Sequence, residues 1–233
     1  MKVDIWSDVR CPFCYIGKKK FEAALRKFPQ RDKVKVNWRS FELDPHIETT
    51  HAVNVIDHLA AVKGISPAQA EGMHQYVTGV AREVGLDFNF EKSVVANSFN
   101  AHRLIQLAQK KGLAEKAEEE LFKAQFIDGK NIHDKEILLK IGQTIGINEK
   151  EVEEMLNSDS FSREVKQDEI QARSLGINGV PFFLLDDKYA VSGAQSTDVF
   201  LQALERVWKE SEKEKQLLIL TEGESCTAGG NCN

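Results

Sequence analysis

The chain has 233 residues, 42% hydrophobic and 29% charged, with 31 basic against 36 acidic side chains and a formal net charge of -5. That length buries a substantial core without disulfide support. The mixed charge offers no basic face to nucleic acid, and no apolar run is long enough to cross a bilayer, so neither nucleic acid nor membrane is an expected partner.

The four cysteines fall as a close pair near the start, Cys11 and Cys14, and a second pair near the end, Cys226 and Cys232. A disulfide-stapled secreted scaffold would spread them through the fold. The opening "MKVDIWSD" runs directly into a strand pattern, with no basic leader or cleavage site, and the expected location is cytoplasmic.

In chain order, "KVDIW" (2–6) reads as a strand, Pro12 to Lys27 as an amphipathic helix, and "KVKVNWRSF" (33–41) as a strand alternating with period two. From Asp44 to Ser158 the pattern is helical. Ser66-Pro67 marks a cap and first turn, Gly85 a stop, Asn97 or Ser98 a cap, and Gly112 and Gly129 breaks. A helix follows at 162–176. Then "VPFFLLDD" and "KYAVSG" form two short strands joined at Asp186-Asp187, and a last helix runs from Ser196 to Glu210.

The order β-α-β, helices, α-β-β-α is the topology of an α/β thioredoxin fold carrying a large all-helical insertion. The expected division is a discontinuous thioredoxin-like domain at 1–44 and 159–210, an insertion at 45–158 whose apolar residues make mostly its own core, and a tail at 211–233.

Cys11-Pro12-Phe13-Cys14 stands where the first strand gives way to the first helix. Disulfide exchange needs one accessible thiolate and a second thiol near enough to resolve a mixed disulfide. Residues three apart share a helix face, and Cys11 at the N-terminal end meets unsatisfied backbone N–H groups and the positive end of the helix dipole. Pro12 fits the first turn. Cys11 is the expected nucleophile and Cys14 the resolving thiol. Arg10 favours a thiolate and Asp8 opposes it, and Arg10 reads equally as a plain surface arginine. A structural zinc site would need two further ligands. Cys226 and Cys232 are more widely spaced than zinc pairs, and the histidines are scattered, so no metal is expected. Two inert buried thiols remain the bland alternative.

The segments "SDVRCPFCYIG", "WRSFELDP", "NSFNAHRL", "GINGVPFF" and "VSGAQ" occur in that order over residues 3 to 208. Together they resemble the DsbA-like thiol-disulfide oxidoreductases, in their FrnE-like branch. The resemblance implies a cis bond at Val180-Pro181 packed against the Cys pair, and a substrate cleft formed by Pro12, Phe13, Val180 and Pro181. It implies protein or peptide disulfides as substrates, a cellular thiol reductant or oxidant as partner, no tightly bound cofactor, and glutathione as a candidate redox partner.

The same superfamily contains 2-hydroxychromene-2-carboxylate isomerases and kappa-class glutathione transferases. A glutathione-dependent isomerase or transferase on a small aromatic substrate is therefore an alternative, as is a redox-inactive peptide-binding holdase. The presence of both Cys11 and Cys14 favours dithiol exchange. Asn97 and His102 are candidates to line the cleft, with a helix cap and a satisfied helix histidine as their plain readings. Cys226 and Cys232, separated by "TAGGN", are a candidate second redox pair.

Overall fold

A computed structural model describes residues 1–49 and 54–214. The central strand β1 (Lys2–Ser7) runs parallel to β2 (Lys35–Ser40) and antiparallel to β3 (Phe182–Leu185), which returns as β4 (Tyr189–Ser192). The sheet order is β2-β1-β3-β4. Helix α1 (Pro12–Lys27) makes the crossover between the two parallel strands. The second strand is shorter than the alternation implied, because Arg31–Lys33 tighten into a single 3-10 turn before it.

Between β3 and β4 the Lys188 N–H donates to the Leu185 carbonyl, and Asp186 and Asp187 both take positive φ, 46° and 56°. Positive φ at both central positions is the primed turn whose twist matches a two-residue hairpin. Asp186 Oδ1 also accepts from the Lys2 N–H at 2.6 Å, tying the turn to the start of β1.

β1 is buried on both faces. Val3 and Ile5 join an apolar cluster with Phe21 of α1, Phe183 of β3 and Phe200 of the last helix, α9 (Thr197–Glu214). The Phe183 and Phe200 rings meet edge to face at 4.6 Å. On the opposite face Trp6 packs with Ala172 of α8 (Ser162–Ser174) and donates its indole N–H to the Asp168 carbonyl at 3.0 Å. The last helix runs four residues beyond the expected Glu210.

Six helices lie between β2 and α8: α2 (Val55–Lys63), α3 (Pro67–Arg82), α4 (Phe99–Lys110), α5 (Ala114–Phe126), α6 (Lys135–Ile145) and α7 (Glu149–Leu156). Ser66 forms a full capping box with Gln69 ahead of Pro67, and Gly85, Gly112 and Gly129 all sit at positive φ beyond helix ends. The helices of this segment pack chiefly on one another, α2 on α3, α4 on α5 and α6 on α7, and their core is continuous with that of the sheet. One cluster runs without interruption from Val3 and Ile5 through α1 to Phe122, Leu138 and Val152. Its hinge point is Tyr15, one residue after Cys14, which stacks on Phe122 at 4.9 Å and on Phe88 at 5.9 Å.

Polar contacts reinforce the seam. Gln109 of α4 accepts from the Trp38 N–H at 2.9 Å, satisfying the outer edge of β2. On α5, Glu119 accepts from the Tyr15 hydroxyl at 2.8 Å and from Lys18 and Lys19 of α1 at 2.6 Å each. Lys18 is buried and also paired with Glu22. Burial opposes the Glu119 charge, but Lys18 first, then Lys19 and Tyr15, bring its carboxyl down to about 2. Among the described residues no helix is long and apolar enough to cross a membrane.

Glu119→Ala leaves buried Lys18 with one carboxylate instead of two and frees the Tyr15 hydroxyl, so it is expected to cost about 2 kcal/mol in urea unfolding at pH 7. The cost is expected to shrink as pH falls from 4.5 through about 2, where the depressed carboxyl gains its proton. A penalty independent of pH over that window would contradict the assignment of Glu119 as the ionic tie.

Candidate functional site

The chain leaves β1 at Ser7 and turns at once. The Cys11 N–H donates to the Asp8 carbonyl at 2.9 Å, Cys11 takes the extended backbone of a helix cap, and Pro12 opens α1. The Cys14 N–H then donates to the Cys11 carbonyl at 3.0 Å. Both thiols are free, with Cys11 6% exposed at the rim and Cys14 1% exposed beneath it. Burial first, and then Cys11 beside it, push the Cys14 thiol well above its ordinary range. Cys14 therefore stays protonated until something removes its proton.

Across from the pair, Cys11 Sγ lies 3.6 Å from the Val180 carbonyl oxygen. The Val180-Pro181 bond is cis, and the Pro181 carbonyl accepts from the Gly193 N–H at 2.8 Å, which anchors this segment to the end of β4. The approach depends on Gly17, one turn beyond Cys14. A Cβ placed on Gly17 would stand 2.9 Å from Pro181 Cγ and 3.5 Å from the Ala194 backbone. An isolated glycine inside a helical pattern was the signal available in the sequence.

Pro12 and Phe13 line a groove of about 410 Å³ together with Leu43, Val62, Met73 and Phe90. Its walls carry side chains normally buried: Phe13 is 37%, Leu43 50% and Val62 67% exposed. Val180 and Pro181 are not part of those walls; they meet Cys11 itself and α1. The structure thus brings Cys11, Cys14, Pro12, Phe13, Val180 and Pro181 around one helix end. Cys226 and Cys232 lie outside the described residues.

The polar residues divide as follows. Asn97 caps the first turn of α4, accepting from the Phe99 N–H at 2.9 Å, and lines a separate cavity with Glu42 and His133. His102 is 1% exposed and lines neither cavity; its Nε2 lies 3.5 Å from Asp8 Oδ1. Arg10 is half-buried on the groove wall, and its charge acts on Asp8.

The sequence reading missed the cluster around Asp8. Asp8 is fully buried; its carboxylate accepts from the Arg10 N–H at 3.1 Å and the Leu43 N–H at 2.9 Å. Burial opposes its charge, yet His102, Arg10 and the Leu43 N–H hold its carboxyl below the usual range. Two further carboxyls face His102. Burial, with Asp8 adding to it, pushes Glu118 of α5 up to about 8 against the pull of His102 and Lys18. Burial, with Glu169 and Asp8 adding to it, pushes Glu42 up to about 7 against His102.

Gly17→Ala forces Pro181 and α1 apart, and is expected to lower stability by about 1–3 kcal/mol in urea unfolding. Wild-type stability of the Gly17→Ala protein would contradict the close approach. A second expectation concerns pH. A carboxyl raised from 4.5 to about 8 keeps its proton in the folded chain and loses it in the unfolded one, so folded stability declines as pH rises through that interval. Glu118→Gln removes its share of the decline; relative to wild type it is expected to gain stability between pH 5 and pH 8. Parallel stability curves for the two proteins would refute this.

Comparison with known proteins agrees with the geometry. The family described as "DSBA-like thioredoxin domain" matches residues 2–205. The crystal structure of a probable DsbA oxidoreductase from Streptomyces coelicolor is 37% identical, covers 100% of this chain and 98% of its own, and superposes with a TM-score of 0.85. YwbO of Bacillus subtilis (strain 168) is 25% identical over 205 residues, 87% of this chain and 94% of YwbO. The cytosolic disulfide reductase DsbM from Pseudomonas aeruginosa shares the fold at 17% identity, with a TM-score of 0.60 over 92% of this chain and 98% of its own. With a dithiol at the start of α1 and a family match running from β1 into α9, the chain belongs to the DSBA-like thioredoxin domain family.

Proposed function

We propose that this protein is a thiol-disulfide oxidoreductase that exchanges disulfides with protein or peptide substrates through Cys11 and Cys14. One observation carries the reading: Cys11 Sγ stands at the rim, 3.6 Å from the Val180 carbonyl, with the Cys14 thiol buried one turn below it.

In the reducing direction the Cys11 thiolate attacks one sulfur of a substrate disulfide, forming a Cys11–substrate disulfide and expelling the other substrate sulfur as a thiolate. Cys14 then loses its proton and attacks Cys11 Sγ, forming the Cys11–Cys14 disulfide and releasing the second substrate thiolate. Two electrons have passed to the substrate. The reverse sequence oxidises a substrate dithiol. Glutathione or another cellular thiol resets the pair, and no tightly bound cofactor takes part.

Each residue has a distinct share in this reading. The Val180 main-chain carbonyl beside the reacting sulfur gives an incoming peptide a backbone partner that does not depend on its side chains. The apolar groove reached from Pro12 and Phe13 takes the apolar side chains flanking the substrate cysteine. Cys14 in direct reach of the nucleophile favours dithiol exchange over a glutathione transferase, which needs a single nucleophilic position.

Cys11→Ser is expected to abolish insulin reduction and refolding of scrambled ribonuclease. Cys14→Ser is expected to stall with substrate covalently held on Cys11, visible as a reducible adduct by mass spectrometry. Turnover by Cys11→Ser comparable to wild type would overturn the reading. Turnover with glutathione and a small aromatic substrate that survives Cys14→Ala would move it to the glutathione-dependent alternative.

A further inference from the structure

The buried cluster under the dithiol has a composition that packing does not require. His102 of α4 approaches Asp8, between β1 and α1, to 3.5 Å, and the charges of Glu42 after β2 and Glu118 of α5 also act on it. Arg10 faces Asp8, Lys18 of α1 faces Glu118, and Glu169 of α8 faces Glu42. Asp8 is the member tied to the reacting centre. Its carbonyl accepts the Cys11 N–H, its own N–H faces the Cys14 sulfur, and its carboxylate accepts the N–H groups of Arg10 and Leu43. The carboxylate therefore links the turn that presents Cys11 to the segment that forms one groove wall.

A fully buried carboxylate stays ionised only where a cation or several donors compensate it. Two backbone N–H groups supply part of this, and the His102 imidazole 3.5 Å away is placed to supply the rest. Were Asp8 to take up a proton, its hydroxyl oxygen would become a donor, and its hold on one of the two N–H groups would weaken.

We propose that His102 is a positioning residue of the dithiol centre: a buried cation that keeps Asp8 ionised, so that Asp8 holds the Arg10-Cys11 turn and the Leu43 segment in place. The inference rests on the exchange function proposed above. It adds a residue that touches no substrate and acts through another. Burial pulls the His102 pKa down, but Asp8 at 3.5 Å first, and then the charges of Glu118 and Glu42, raise it above that of an ordinary imidazole. A protonated Asp8 loosens the turn whose Asp8 N–H faces the Cys14 sulfur, so the dithiol loses a contact that steadies it and the Cys11/Cys14 couple shifts toward the disulfide, as it does in Asp8→Asn.

The test equilibrates wild type, His102→Gln, Asp8→Asn and the double variant with glutathione buffers, while thermal unfolding is followed in parallel. His102→Gln is expected to shift the exchange constant about tenfold toward the disulfide form, equivalent to about 30 mV. If His102 acts through Asp8, the double variant is expected to match Asp8→Asn within about twofold. An exchange constant unchanged by His102→Gln, whatever happens to thermal stability, overturns the inference and leaves the exchange function standing. Additive shifts in the double variant overturn it as well.

A second measurement needs no variant to fold. Coupling is reciprocal, so the imidazole of His102 in the wild-type protein is expected to titrate at higher pH in the dithiol than in the disulfide form, read by NMR. Identical titrations in the two forms overturn the inference. A wild-type protein that does not equilibrate with glutathione at all overturns both it and the exchange function.

Discussion

Helix α1 and the segment before β3 approach each other closely enough that only glycine fits between them. The 2.9 Å that would separate a Gly17 Cβ from Pro181 Cγ marks a contact without room for a methyl group. From it follows the position of the Val180 carbonyl against Cys11, nearly two helical turns toward the N-terminus, and hence the pairing of the Cys11 sulfur with a main-chain acceptor. β1 stands behind this contact, parallel to β2 and antiparallel to β3, and so delivers α1 and the Val180-Pro181 segment to the same end of the sheet.

The helical segment serves the same geometry from the other side. Tyr15 directly follows Cys14 and is held flat between Phe122 and Phe88, while its hydroxyl and two lysines of α1 converge on Glu119. Helix α1 is therefore clamped by the sheet along one side and by α5 along the other. The groove beside Phe13 lies where α2 and α3 face that helix, and the apolar side chains on its walls are exposed because nothing else in the described fold covers them.

Much of this was legible from local chemistry. A cysteine pair at a strand-to-helix junction, proline at the first helical turn, serine capping a proline-started helix, and two aspartates between short strands each have a short-range cause, and each appears where those causes put it. The order of elements was enough to imply the sheet. What stayed hidden depends on contacts between distant residues. His102 and Asp8 are 94 positions apart, and nothing in the helical periodicity of "NSFNAHRL" separates a histidine buried against a carboxylate from one bonded within its own helix. The same holds for Tyr15 on Phe122, the contact through which the core of the helical segment runs on into that of the sheet. The strand edge at Lys33 was misread because its alternation continues into a 3-10 turn, where the side chains are exposed.

The central claim is that Cys11 and Cys14 work as one two-electron couple. It is tested most directly by oxidising the protein across a series of glutathione buffers, quenching with acid, and identifying the state of each cysteine by mass spectrometry. The account predicts a single reversible transition in which Cys11 and Cys14 together become an intramolecular disulfide, with glutathione-bound Cys11 only a minor species. Accumulation of glutathione on Cys11 while Cys14 stays a free thiol across the whole series would contradict it.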